Sequence, residues 1–178
     1  MKKKVKNTQE SLKQYNCQSG FNQESKASQE SDDWEKKLED EFSYSWYKFI
    51  DLLTGSELKR MLKERNLNLQ YTCQHVKGKK NGTGYWFDII AQCEDLTIIV
   101  EVEYDLDEEI IQEFIERLER AKVFMEEYRK YVIHGAVASL NSNPDCEKMA
   151  EMKGLFVIRA TGSSATLINP PDFKPKIF

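Results

Sequence analysis

Cysteine pairs are missing from this chain. Its four cysteines, Cys17, Cys73, Cys93 and Cys146, lie far apart with no CxxC. This argues against a zinc site and against a disulfide framework, and it reads as reduced thiols, with Cys73 and Cys93 packing as small apolar residues. Long apolar runs are missing too, since nothing approaches the roughly 18 continuous apolar residues of a membrane span. The basic start Met1-Lys2-Lys3-Lys4-Val5-Lys6 leads into polar residues instead of an apolar signal core, so the expectation is a cytoplasmic protein. Nor is there an excess of positive charge. The net charge is −4 with 31 % charged residues, and a polyanionic partner would have to be met by local patches or through metal ions. The motif GxxxxGK followed by Ser or Thr is absent, as are GxSxG, HExxH and a Cys/His pair, which removes the common phosphate-loop, serine and zinc hydrolase chemistries.

What is there fits one domain with an appendage, because 178 residues can bury a real core. Residues 1–31 are rich in Lys, Gln, Asn, Ser and Glu and have few large apolar side chains, too few to offset the entropy of ordering. They read as a disordered, polar, basic arm, solvated or touching phosphate or lipid, ahead of a domain at 32–178. From Asp32 the apolar residues Trp34, Leu38, Phe42, Trp46, Phe49, Ile50 and Leu53 recur at helical steps. Thr54-Gly55 predicts a break, and Ser56 caps a further helix from Glu57 to about Asn66.

A strand is expected over Leu67 to Val76, then a basic turn from Lys77 to Gly84. Strands over Tyr85 to Cys93 and Leu96 to about Tyr104 follow. Asp107 caps a long helix to about Tyr131. A strand over Val132 to Leu140, a helix from Asp145 to Lys153 stopped at Gly154, and short strands at Leu155 to Arg159 and Ala165 to Ile168 complete the order. Three meandering strands, a helical crossover and a fourth strand make a mixed sheet with helices on both faces.

The chemistry concentrates at Glu101-Val102-Glu103, which closes the apolar run Leu96 to Val100. Strand alternation puts Glu101 and Glu103 on one side, and a hairpin brings Asp88 beside them. Such carboxylates repel one another unless a cation offsets the charge, and an oxygen-only set favours Mg²⁺ or Mn²⁺. The plain alternative is a solvated strand end.

In this order of elements the chain resembles the PD-(D/E)XK nuclease superfamily, the restriction-endonuclease-like fold. The resemblance rests on Asp88 within Trp86-Phe87-Asp88-Ile89-Ile90 and on Glu101-x-Glu103. It is similar in particular to a group of small bacterial members, through Val132-Ile133-His134-Gly135-Ala136-Val137-Ala138, Lys153-Gly154-Leu155-Phe156-Val157-Ile158 and Ile168-Asn169-Pro170-Pro171-Asp172-Phe173. The similarity covers roughly residues 42 to 178. It implies an α/β fold with an αβββαβ core and a mixed sheet of about four to five strands. It further implies a Mg²⁺- or Mn²⁺-dependent phosphodiesterase, acting on DNA ahead of RNA. Asp88 and Glu101 match the metal-binding acids, and Asp51 stands where a first-helix acid often joins them.

The chain departs from the pattern at Glu103, where the superfamily usually has Lys. A carboxylate there either binds a second ion or acts as general base, or else the protein is an inactive nuclease fold kept for binding nucleic acid or a protein. Lys77, Lys79 and Lys80 form either a solvated turn or a DNA-contacting hairpin. Gln112 and Lys122 follow on the next helix, facing the site or the solvent. His75 and His134 are solitary, better matched to packing than to ligation. A homodimer fits any of these readings.

Overall fold

The computed structural model describes residues 27–178. The basic arm up to residue 26, Cys17 within it, and the side chains of Trp34, Leu38 and Phe42 fall outside what it describes. Helix α1, Ala27–Leu52, starts ahead of Asp32. Contacts along the chain separate the residues up to Ser45 from a unit Trp46–Phe178, which holds the sheet.

The expected break at Thr54-Gly55 does not occur. A π-helical turn, Leu53–Glu57, joins α1 directly to α2, Leu58–Glu64, with the Leu58 amide reaching back to Leu53 O. Ser56 therefore caps nothing. The inserted residue rotates the following turn so that Leu53, Leu58, Met61 and Leu62 all face the core. The Thr54 hydroxyl donates to Ile50 O at 2.9 Å, tying the turn to the helix before it.

Strands β1 (Tyr71–Lys80), β2 (Thr83–Gln92), β3 (Leu96–Leu106), β4 (Val132–Ser142), β5 (Phe156–Ala160) and β6 (Ala165–Leu167) form one sheet in sequential order. β1, β2 and β3 are antiparallel, β3, β4 and β5 parallel, and β6 returns antiparallel to β5. The sheet thus has six strands instead of four to five, because both short late segments join it. The basic turn expected over Lys77 to Gly84 is mostly ladder. Only Asn81 and Gly82 form the connection, with φ of 51° and 81°, the left-handed pair that a two-residue hairpin needs.

The helix expected to reach Tyr131 ends at Glu119. It comprises α3 (Glu108–Glu119), a short α4 (Ala121–Phe124) and a 3₁₀ turn, Glu126–Tyr128. Packing explains the break: Phe124 turns back to stack on Tyr85 of the hairpin, rings 14° apart, and Met125 and Tyr128 follow it into the core. Helix α5, Pro144–Met152, is capped by Asn143, whose side chain accepts from the Cys146 amide.

The two faces of the sheet carry separate cores. Phe49, Ile50, Leu53 and α2 cover the face of Ile98, Val100 and Val102. Helices α3 to α5 cover the face of Ile99, Val137 and Val157. The architecture is a mixed α/β sheet flanked by helices.

Candidate functional site

Strands β2 and β3 pair only from Gln92 with Thr97 to Ile89 with Val100, and then they part. Beyond that point β2 stays paired to β1 as far as Thr83, and β3 stays paired to β4 as far as Leu106. The sheet forks between its second and third strands, and the candidate residues line the fork.

A local irregularity opens it. Along β1 and β2 the register is constant, but His75 and Asp88, which would face each other, make no ladder pair, and His75 has φ of 52°. Both strands change face there: Cys73 with Val76, and Phe87 with Ile90, lie on one side although the members of each pair are three positions apart. Asp88 is released from ordinary alternation, and its Oδ2 accepts from the Val102 amide at 2.9 Å. A side chain thus replaces the ladder partner that β2 withdraws. At the same residue, the Trp46 indole N–H donates to Val102 O at 2.6 Å. The strand is gripped at Val102 through both its amide and its carbonyl, which fixes Glu101 and Glu103 on either side of it in sequence.

Glu101 is 1 % exposed and points to the α3 face. Burying a lone carboxylate there would be costly. The offset comes from Arg117 of α3, whose Nη2 lies 2.7 Å from Glu101 Oε1. That contact satisfies an ion pair in distance but lacks hydrogen-bond alignment, so Nη2 is still short of an acceptor. The guanidinium also lies 4.7 Å from the centroid of the Trp86 ring and 5.7 Å from that of Phe114. Trp86 is two residues before Asp88 on β2, so one arginine bridges both prongs of the fork. Glu103 is half-buried and pairs in register with Ser139 of β4, which in turn pairs with Arg159 of β5.

The other sequence-derived candidates stand elsewhere. Asp51 is exposed on α1, the helix that covers the opposite face from α3. Lys77 and Lys79 are exposed on β1, an edge strand, while Lys80 pairs with Glu126 at 2.6 Å. Gln112 is exposed on α3, 3.4 Å from Glu116. Lys122 lies on α4, past the helix break, and its backbone carbonyl accepts from Arg129. The His134 ring meets Lys176 O at 2.8 Å, and His75 lies against Trp46 and Tyr47. Cys93 is buried, which pushes its thiol above the ordinary range.

Among the described residues, no three His, Cys, Asp or Glu side chains gather as a metal-binding group. The fork joins two buried carboxylates, a half-buried third and a guanidinium, instead of a bare carboxylate triad. Sequence reading missed Arg117, Trp86 as its ring partner, and Ser139. The available signal for Arg117 was its place beside Phe114 and Leu118, a cation at the margin of an apolar stripe.

No family model matches the chain, and no curated protein matches it. Among solved structures it is similar to a repair endonuclease from Pyrococcus abyssi, with a TM-score of 0.41 and 14 % identity over 59 % of this chain and 46 % of that one. It is also similar to a protein of unknown function, with a TM-score of 0.39 and 14 % identity over 57 % of this chain and 54 % of the other. The chain spans about half the length of these neighbours. No helix among the described residues is long and apolar enough to cross a membrane.

Proposed function

We propose that this chain is a metal-dependent phosphodiesterase of PD-(D/E)XK type, acting on DNA ahead of RNA. The observation that carries the reading is the placement of Asp88 and Glu101, both buried, at the point where β2 leaves β3. Two carboxylates held inside a protein at the mouth of an open fork call for a cation, and their oxygen donors suit Mg²⁺ or Mn²⁺.

Asp88 and Glu101 would hold the ion, which supplies Lewis acidity toward a phosphoryl oxygen. Asp88 also sets the position of Val102 through the backbone amide. Glu103, two residues on and accessible, is the base that takes the proton of the attacking water, a role open to carboxylate in place of lysine. Asp51, exposed on α1, is a less favourable ligand.

The test is cleavage of supercoiled plasmid and single-stranded DNA in Mg²⁺ and Mn²⁺, beside Asp88→Ala/Glu101→Ala purified identically. Metal-dependent cutting lost in the double variant supports the reading; equal background from both proteins sinks it. A second reading, a non-catalytic nucleic-acid- or protein-binding module on the same fold, is favoured by one observation. The Glu101–Arg117 pair already neutralises a metal-binding acid, as a scaffold without an ion would require.

A further inference from the structure

Buried polar side chains in folded proteins almost always find partners, and each exception asks for a reason. Among the described residues, the buried side-chain donors left without an acceptor are Arg117 Nε, Arg117 Nη2 and Ser139 Oγ. All flank the two glutamates of the fork: Arg117 is ion-paired to Glu101, and Ser139 is the register partner of Glu103. Strand alternation puts Ser139 on the face of Val137, which α3 covers, as it does Glu101. Ser139 is 1 % exposed, so solvent does not meet its hydroxyl.

Unmet donors at a buried site call for a ligand rich in acceptor oxygens, and guanidinium with hydroxyl is a pairing suited to phosphate. We infer that Arg117 is the phosphate-binding cation of this site, supplied from helix α3 in place of the lysine that Glu103 replaces, and that it is held against Glu101 until a divalent ion takes that carboxylate. Ser139 contributes the neighbouring hydroxyl. The Trp86 ring, its centroid 4.7 Å from the guanidinium carbon, keeps the cation in the fork in either arrangement without using up its N–H donors. The inference rests on the proposed phosphodiesterase reading and assigns the substrate contact within it: a backbone phosphate of the nucleic acid, gripped by a residue outside the strand motif.

Two consequences separate it from a merely structural ion pair. If Arg117 and the metal compete for Glu101, removing the guanidinium strengthens metal binding. If Arg117 then holds phosphate, the same change weakens the gain in DNA affinity that metal brings. The experiment is Mn²⁺ titration by calorimetry, followed by binding of a labelled DNA duplex with and without Ca²⁺, a hard divalent ion used in place of Mg²⁺. Both run on the full chain, on Arg117→Met and on Arg117→Lys. Arg117→Lys keeps the charge and guards against a fold lost to an unpaired Glu101; thermal melting reports which variants fold.

Expected are Mn²⁺ binding at least about tenfold tighter in Arg117→Met and intermediate in Arg117→Lys, and loss of most of the Ca²⁺-dependent gain in duplex affinity in Arg117→Met. If Arg117→Met does not fold, Arg117→Lys decides alone by the same two signs. Mn²⁺ binding by the wild type that Arg117 variants leave equal or weaker overturns the inference and spares the nuclease reading. Absence of Mn²⁺ binding in every protein overturns both.

Discussion

The backbone of Val102 joins the two halves of the site. Asp88 holds its amide and Trp46 its carbonyl, and both contacts replace ladder bonds that the fork removes. Asp88→Ala therefore removes a carboxylate acceptor from a buried amide, at a cost of about 1–3 kcal/mol, whatever its effect on activity. Chemical denaturation should register that loss in the absence of any metal, and an unchanged midpoint would mean that water reaches Val102. A second buried acid has a different task. Glu57, in the π-helical turn, accepts from Arg60, from the Ser164 hydroxyl and from the Ala165 amide, joining the helical layer to β6. These donors, Arg60 first, hold its carboxyl from the ordinary 4.5 down to about 2 against the opposing effect of burial.

A carboxyl depressed in the folded state adds stability that is complete above its unfolded value and fades as pH falls through the folded one. The Glu57 contribution is thus present above about 4.5 and disappears toward about 2. Its size is on the order of 1–2 kcal/mol, discounted because half of the Arg60 side chain meets solvent. Melting curves of Glu57→Gln should lie below the wild type near neutrality and approach it through that acid window; a constant gap would contradict this.

At the level of elements, the seating of α3 on the sheet decides where Arg117 arrives. A Cβ on Gly135 of β4 would come within 2.4 Å of Leu118 and 2.7 Å of Leu155, both fully buried. Gly135→Ala should cost about 1–3 kcal/mol by overpacking, and it should move α3 enough to disturb Arg117. The accompanying sign would be altered Trp86 fluorescence.

The segment after β6 is secured by Asn169, 3 % exposed, which accepts from the Val157 amide at 2.7 Å and donates to Leu155 O and Glu151. Asn169→Leu is expected to lower stability by about 2 kcal/mol or more, since it strands a β5 amide, and hydrogen exchange at Val157 should accelerate. Element existence and order were legible in periodicity and turn chemistry. Element ends were not: the ladder of β1 and β2 continued through lysines that resemble a turn in composition, and helix α3 stopped without Pro or Gly because Phe124 found a ring to stack on.

For the whole molecule, a net charge of −4 means that nucleic acid cannot be attracted by the overall field. The exposed Lys77 and Lys79 on edge strand β1 offer one local patch, on the same hairpin as Asp88. If they touch phosphate, Lys77→Glu/Lys79→Glu should weaken duplex binding and reduce the slope of log affinity against log salt by roughly 1.8. A variant with an unaltered slope would assign these lysines to keeping an exposed edge from pairing with another chain.

The chain order alone carried the alternation of helices and strands, the absence of a membrane-crossing helix among the described residues and the two acids that reach the fork, because these depend on local spacing and on which residue types are present. Tertiary packing decided the rest. The change of face at His75 and Asp88, the parting of β2 from β3 and the choice of Arg117 as the counter-charge to Glu101 all arise from contacts between segments distant in sequence. Periodicity records which side of its own element a residue occupies; it does not record which residue of another element will stand opposite it.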